Sequence, residues 1–146
     1  MIKRCLLALS AAFLLFSTAS AEPPMTDEQF ADIRALATAF HAHNGAPEGQ
    51  DPYGLPPGIT TLEEAANRFG LTPAQLSEGT LQSAYDIGFM IRQQERDAPG
   101  SMADLLAAIR AKTGKPLDEI IEHEADVAAR VLARGQIDTL TEYYVI

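Results

Sequence analysis

The amino-acid sequence predicts a small all-α domain, and three observations lead to that prediction. Apolar residues recur mainly at spacings of three and four, which is the periodicity of amphipathic helices. The segments that begin at Thr26, Thr61 and Thr72 each carry Glu or Gln three positions later, the capping-box pattern of a helix N-terminus. Alternating runs that would indicate strands are nearly absent. We therefore expect a single-domain bundle of about five to six helices.

Breakers in the sequence delimit the helices of the first half. The helix that follows Thr26 is predicted to end near His43, because Asn44-Gly45 is a favoured C-terminal cap. Two short helices are predicted after the caps at Thr61 and Thr72, and Gly70 and Gly79 are predicted to end them.

A long Pro/Gly-rich loop, residues 44–60, separates the first predicted helix from the second. Compact domains rarely carry so long an irregular segment without a use. One interpretation is a binding loop that presents Glu48, Asp51 and Tyr53 to a partner. The other is a structural strap that crosses the bundle, with Tyr53 and Leu55 as its apolar anchors.

Residues 80–97 are predicted to form the central helix of the bundle. Apolar side chains cover more than half of its circumference, and Met90 lies outside that arc, so the middle turns are apolar nearly all round. Such a helix should be surrounded by other elements. Gly88 costs about 1 kcal/mol relative to Ala in a helix, which predicts that a neighbouring segment approaches closely there.

Two further helices are predicted in the last part of the chain. The first is capped within Ser101–Asp104 and ends at Gly114. The second opens at Pro116 and is predicted to run without interruption to about Arg134. The tail, residues 136–146, is predicted to be either a final helical turn or an extended apolar segment.

The N-terminus has the three parts of a secretory signal. A short basic segment is followed by the apolar run Cys5–Phe16, and Ala19-Ser20-Ala21 supplies the small-x-small cleavage pattern. A membrane anchor would need about 20 apolar residues, so we expect cleavage after Ala21 and no membrane insertion afterwards. The resulting domain, residues 22–146, would be periplasmic or secreted and would have no disulfide, because the only cysteine lies in the signal.

The acidic composition argues against a nucleic-acid partner. The formal net charge is −9, and it becomes −11 when Lys3 and Arg4 leave with the signal. The segment Thr61–Leu76 resembles the helix-turn-helix of DNA-binding regulators. However, its second part, Leu71–Gly79, contains no Lys or Arg to contact phosphates.

A second resemblance involves the starts of two predicted helices. The segment Leu71–Gln75, and Met25–Gln29 with Met in place of Leu, resemble the Leu-Thr-x-x-Gln signature of periplasmic helical stress chaperones and metal sensors. The resemblance implies an exported helical protein that binds unfolded chains or transition metals. The same five residues are also the pattern of any well-capped helix start.

Three histidines are the candidate metal ligands. His41 and His43 lie at the end of the first predicted helix, and His123 lies between two glutamates in the last one. Imidazole and carboxylate groups bind transition metals, but residues two apart on a helix point to opposite sides. We expect no cofactor, and a transition metal is the alternative.

Two charged residues fall where apolar ones would be expected. Glu124 lies near the middle of the apolar face predicted for residues 116–134, and Arg92 projects from the apolar arc of the central helix. Since buried charges need partners, we expect these two to pair at the edge of the core. Alternatively, Glu124 is a general acid or base in a small envelope enzyme, although neither G-x-S-x-G nor H-E-x-x-H occurs.

The sequence therefore favours binding over catalysis. Our leading functional prediction is a protein-binding module of the bacterial envelope, such as a chaperone, an adaptor, an inhibitor or an immunity-type partner. The tail adds three candidate partner-binding residues, Tyr143, Tyr144 and Ile146. Apolar residues before a free carboxylate can add as a strand to a PDZ-type groove, or the tail can pack back on the bundle.

Overall fold

The computed structural model describes residues 22–146, which fold into seven α-helices without any strand. The predicted all-α class is thus confirmed, whereas the predicted signal segment lies outside the described residues. None of the helices in the described part of the chain is long and apolar enough to cross a membrane. In chain order the helices are α1 Asp27–His43, α2 Leu62–Phe69, α3 Pro73–Asp97, α4 Ala103–Thr113, α5 Leu117–Ile120, α6 Glu124–Arg134 and α7 Leu140–Val145.

The three predicted capping boxes are present at the starts of α1, α2 and α3. In each, the cap threonine accepts a hydrogen bond from the backbone N–H three residues on, and that residue's side chain accepts from the cap N–H. The cap residues are Thr26, Thr61 and Thr72. These local patterns fix where the first three helices begin because they satisfy backbone donors that have no partner inside the helix.

Helix α3 is one continuous helix of 25 residues. The predicted break at Gly79 is therefore wrong, since Gly79 is helical and Thr80 next to it is only 2% exposed. A glycine inside a helix costs about 1 kcal/mol, and tertiary packing offsets a cost of that size. The helix packs against α1, α2 and α7. It is not enclosed on all sides, because Phe89 and Met90 are 48% and 42% exposed.

The hydrophobic core is built mainly by α1, α3 and α4. Helix α1 packs against both α3 and α4, and more lightly against α5. On its apolar face Phe30, Ile33, Leu36 and Ala37 are buried, and Phe40 is half-buried. The largest fully buried apolar side chains of the core are Phe30, Ile33 and Leu36 from α1, Ile91 from α3, and Leu105 and Ile109 from α4.

The last predicted helix is interrupted, so the prediction of one helix from Pro116 to Arg134 is wrong. Ile121 is extended, with φ −136° and ψ 120°, and its side chain is buried. In a continuous helix the Ala125 N–H would donate to the Ile121 carbonyl. Instead the Ala125 N–H donates to His123 Nδ1 at 3.1 Å, and the Ile121 carbonyl accepts from Arg92 Nη2 at 2.8 Å. Both backbone groups are hydrogen-bonded to other partners, so neither is left unsatisfied when the helix is interrupted here.

Helix α4 begins differently from the prediction as well. No side chain within Ser101–Asp104 caps it. The turn that precedes it is held by α3, because the Glu95 carboxylate accepts from Gly100 N at 2.5 Å and from the N–H of Met102, the N-cap residue, at 3.0 Å. Gly100 has a φ of +84°, a backbone conformation that glycine adopts without strain, so the chain can turn sharply between the two helices.

The C-terminal tail is a docked helix. Helix α7 packs against α3 and α6, and Glu142 at its centre is 6% exposed. Arg134 Nη2 donates to Glu142 Oε2 at 2.6 Å, and Asp138 N donates to the same oxygen at 2.8 Å. Hydrogen bonding from these donors therefore satisfies a buried carboxylate that was not identified from the sequence.

The packing of α4 against α1 leads to a stability prediction. Ile109 is fully buried, so Ile109→Ala should lower the free energy of unfolding by about 2 to 5 kcal/mol through lost burial and the cavity left behind. Leu132→Ala is the control: this side chain is 79% exposed, and the change should stay within about 0.5 kcal/mol. Urea denaturation followed by circular dichroism measures both. Similar losses for the two variants would contradict the described core.

Candidate functional site

The guanidinium of Arg92 joins α3 to the segment that connects α5 and α6. Arg92 Nη1 donates to Glu124 Oε1 at 2.9 Å, while Nη2 donates to Asp118 Oδ1 and to the Ile121 carbonyl, each at 2.8 Å. The Arg92 side chain is only 10% exposed. Its Nε is buried and has no hydrogen-bond partner among the described residues. The structure thus brings together the two charged residues that stood out in the sequence.

Gly88 makes room for this ion-pair cluster. A Cβ atom at position 88 would lie 3.0 Å from Ile121 Cγ2 and 3.2 Å from Arg92 Nη1. The segment that approaches the central helix closely is therefore the connection between α5 and α6. A larger residue at position 88 would push either the Ile121 side chain or the guanidinium out of place.

Glu124 is the first residue of α6 rather than the middle of a long helix. Its side chain is 20% exposed, with Oε1 bound to Arg92 and Oε2 3.7 Å from His123 Nδ1. A carboxylate near a helix N-terminus is favoured by the helix dipole. This environment stabilises Glu124 as the anionic partner of Arg92, which suits a structural role better than proton transfer.

The loop of residues 44–60 is held against α1 by Asp51. This carboxylate accepts hydrogen bonds from Arg34 Nε and, at 2.9 Å each, from the amides of Tyr53 and Leu55. Burial raises the pKa of Asp51, but the Leu55 amide, the Arg34 guanidinium and the Tyr53 amide together hold it below its usual value. Asp51, a candidate partner-binding residue, thus uses its carboxylate for hydrogen bonds within the chain.

The apolar residues of the same loop pack onto the core. The Tyr53 ring stacks with Phe30 at a centroid distance of 6.5 Å, and Leu55 is 4% exposed. Burial raises the pKa of the Tyr53 hydroxyl. Glu48 alone among the three candidate binding residues of the loop is exposed. These placements favour the strap interpretation over a free binding loop.

The three histidines lie at the ends of two different helices. His41 and His43 are exposed at the end of α1, whereas His123 is the N-cap residue of α6. Within residues 22–146 no three His, Cys, Asp or Glu side chains are grouped so that they could hold a metal ion. His123 instead has a local role, since its Nδ1 accepts the Ala125 N–H.

The three candidate residues of the tail are exposed on or next to α7. Tyr143 and Tyr144 are each 57% exposed and touch edge to face at 5.6 Å, and Ile146 is 59% exposed. Tyr144 also lines a small cleft of about 150 Å³ between α3 and α7. The tail is helical up to Val145, so it does not present an extended segment for strand addition.

A larger groove lies between the C-terminal half of α3, helix α4 and the segment 116–123. Its volume is about 720 Å³ and it is open to solvent along one side. Leu106, Ala107 and Leu117 provide apolar surface within it. Arg92 and His123 lie on its wall, but neither Glu124 nor any residue of the 44–60 loop lines it.

Some charged groups of the groove have hydrogen-bond partners within the described residues, and others have none. The two carboxylates are engaged, because Glu95 accepts from the Gly100 and Met102 amides and Asp118 accepts from Arg92. Arg96 and Arg110 also line the groove, and neither makes an ion pair or a side-chain hydrogen bond with any of residues 22–146. The groove therefore combines apolar surface with two cations that are available to a ligand.

Apart from Arg92 and His123, the residues that line the groove were not among the candidates selected from the sequence. A signal for the two cations was nevertheless present, because neither Arg96 nor Arg110 has an acidic residue three or four positions away, although the chain contains twenty Asp and Glu. What the sequence could not show is that the end of α3 and the middle of α4 face each other across a gap.

Comparison with protein-family models, with curated proteins and with solved structures gave no match to this chain.

The Arg92 cluster generates a stability prediction. Arg92→Ala should lower the free energy of unfolding by about 3 kcal/mol, because it leaves the partly buried Glu124 without its counter-charge. Arg96→Ala, four residues further along α3 and without an ion pair, is the matched control and should change stability by less than about 0.5 kcal/mol. Chemical denaturation of both variants, together with Glu124→Ala and the double variant, measures the coupling. A coupling energy of zero between positions 92 and 124 would contradict the described ion pair.

Asp51 generates a pH-dependent prediction. Asp51→Asn should destabilise the protein at pH 7 by about 1 to 3 kcal/mol, because two amides and Arg34 lose an anionic acceptor. Since the pKa of Asp51 is lowered by folding, its contribution is present above about pH 4 and is lost as the pH falls through the folded-state pKa. The difference between the wild type and the variant should shrink below pH 4 in denaturation series at pH 7, 5 and 3. Glu48→Gln is the control in the same loop, and a difference that grows towards low pH would contradict the assignment.

Proposed function

We propose that this chain is a protein-binding module of the cell envelope and that its binding surface is the groove between α3, α4 and residues 116–123. The observation that carries the proposal is the groove itself, an open depression of about 720 Å³ with an apolar floor. Protein interfaces combine an apolar centre with a polar rim. Leu106, Ala107 and Leu117 supply the apolar part here, and Arg92, Arg96 and Arg110 also line the groove.

Both walls of the groove are held by interactions that do not need a ligand. Arg92 fixes the segment 116–123 to α3, and Glu95 fixes the turn before α4 to the same helix. A surface that is organised before binding loses less conformational entropy when the partner arrives. This supports recognition of a partner on a formed surface.

The predicted secretory signal decides where such a partner would be found. If residues 1–21 are removed on export, the domain acts in the periplasm or outside the cell. A net charge of −11 for the remaining chain keeps it soluble and repels anionic lipid surfaces. A chaperone, an adaptor or an inhibitor of another envelope protein fits these properties.

A pair of Ala→Glu variants tests the proposal. Ala107 lies on α4 in the groove, and Ala129 is an exposed residue of α6 outside it, so the same change can be made at a test position and at a control position. The wild type and Ala129→Glu should capture the same partner from envelope extract, whereas Ala107→Glu should lose it because a charged side chain fills the apolar floor. Circular dichroism checks that all three are folded. A monodisperse wild-type protein that captures nothing, or equal capture by all three, would contradict the proposed function.

A further inference from the structure

We infer that the groove takes a short acidic and apolar peptide segment of a partner protein, with apolar side chains on the floor and carboxylates on Arg96 and Arg110. The inference rests on the proposed function and adds the chemistry of the partner. It follows from which charges inside the groove are already paired and which are not.

The charge distribution of the whole domain makes the two arginines exceptional. Residues 22–146 contain nine Lys and Arg and twenty Asp and Glu. Five of the nine cations are in ion pairs with carboxylates of the domain. The four others are Arg68, Arg96, Arg110 and Lys112. Two of these four line one groove, in a domain that has carboxylates in excess nearly everywhere else.

The carboxylates that line the groove make their hydrogen bonds elsewhere and form no ion pair with these two arginines. Glu95 uses both carboxylate oxygens on backbone amides, and Asp118 Oδ1 is bound to Arg92. Carboxylates from outside are therefore the complementary groups, and a guanidinium can bind a carboxylate through two parallel hydrogen bonds. Exposed carboxylates of the domain that lie farther than about 8 Å from the bound segment repel it only weakly, because interactions beyond the Debye length are largely screened at physiological ionic strength.

The dimensions of the groove indicate a short segment. Along α4 the lining residues run from Leu106 to Arg110, a rise of about 6 Å. One or two turns of a helix, or a few extended residues, can lie against such a length. The open side of the groove also favours a peptide, because pockets for small molecules usually enclose about 70 to 90% of their ligand.

A selection from displayed random 12-residue peptides, carried out on the purified protein and depleted on Ala107→Glu, tests the inference. The recovered peptides should combine two Asp or Glu with at least two apolar residues. One such peptide, synthesised with a fluorescent label, should bind about three- to five-fold more weakly to Arg96→Gln and to Arg110→Gln, the effect of losing one exposed ion pair. Arg68→Gln removes an equally unpaired arginine of α2 outside the groove and should leave the affinity unchanged. Since none of these three arginines makes an ion pair within the described residues, the thermal midpoints of the variants should match that of the wild type.

The other outcomes overturn the inference in distinguishable ways. Peptides that bind the groove but are neutral or basic, or that bind Arg96→Gln and Arg110→Gln as tightly as the wild type, would overturn the acidic partner and leave the proposed function standing. Recovery of no peptide that depends on Ala107 would overturn the inference, and the capture experiment would then decide the proposed function separately.

Two further measurements test for other occupants of the groove. Calorimetric binding of dodecanoate that is lost in Arg96→Gln would assign the groove to a small amphiphile. Self-association that is lost in Ala107→Glu would assign it to a second copy of the chain. Either result overturns the inference.

Discussion

The placement of one guanidinium, that of Arg92, accounts for much of the C-terminal half of the structure. It is nearly buried and satisfies two carboxylates and one carbonyl in the segment that follows α4. A buried cation is costly unless its partners are provided, so the chain around it is arranged to provide them. The interruption after α5 frees the Ile121 carbonyl for Arg92, the start of α6 places Glu124 beside it, and Gly88 leaves the necessary space.

The same arrangement shapes the groove. Arg92 draws the segment 116–123 towards α3, while Glu95, three residues further along the same helix, fastens the start of α4. The two carboxylates that line the groove are engaged in this way, since Asp118 accepts from Arg92 and Glu95 accepts from the Gly100 and Met102 amides. Arg96 follows directly on α3 and has no such partner among the described residues, so internal pairing leaves the groove with positive charge.

Local sequence patterns predicted the helices correctly where interactions between residues close in sequence determine the structure. The capping boxes at Thr26, Thr61 and Thr72 and the apolar face of α1 follow from the spacing of residues along one helix. The errors occur where a distant residue competes with the local pattern. Periodicity alone continues the last helix through Ile121, because it carries no information that Arg92 will take the Ile121 carbonyl. Gly79 likewise suggests a break, which packing against α1, α2 and α7 overrides.

The candidate site was accessible from the sequence only in part. Arg92 and Glu124 could be identified because each interrupts an apolar stripe of its own helix. The groove could not, because it depends on the angle at which α3 and α4 diverge. The candidate residues of the 44–60 loop were selected because the loop is long and rich in Pro and Gly. The structure shows that the Asp51 carboxylate and the Tyr53 ring make their contacts within the chain.

The contacts of Glu95 with the turn before α4 have a further consequence for how the groove forms. Its two hydrogen bonds span only five and seven residues of sequence, whereas the Arg92 contacts span 26 to 32. Closing a short chain loop costs less entropy than closing a long one. The corner between α3 and α4 is thus held by contacts that are close in sequence, and transient opening of residues 117–124 would release Arg92 without undoing that corner. The Glu95 contacts that hold α4 beside α3 are short-range in sequence, whereas the Arg92 contacts that hold the segment 116–123 are long-range.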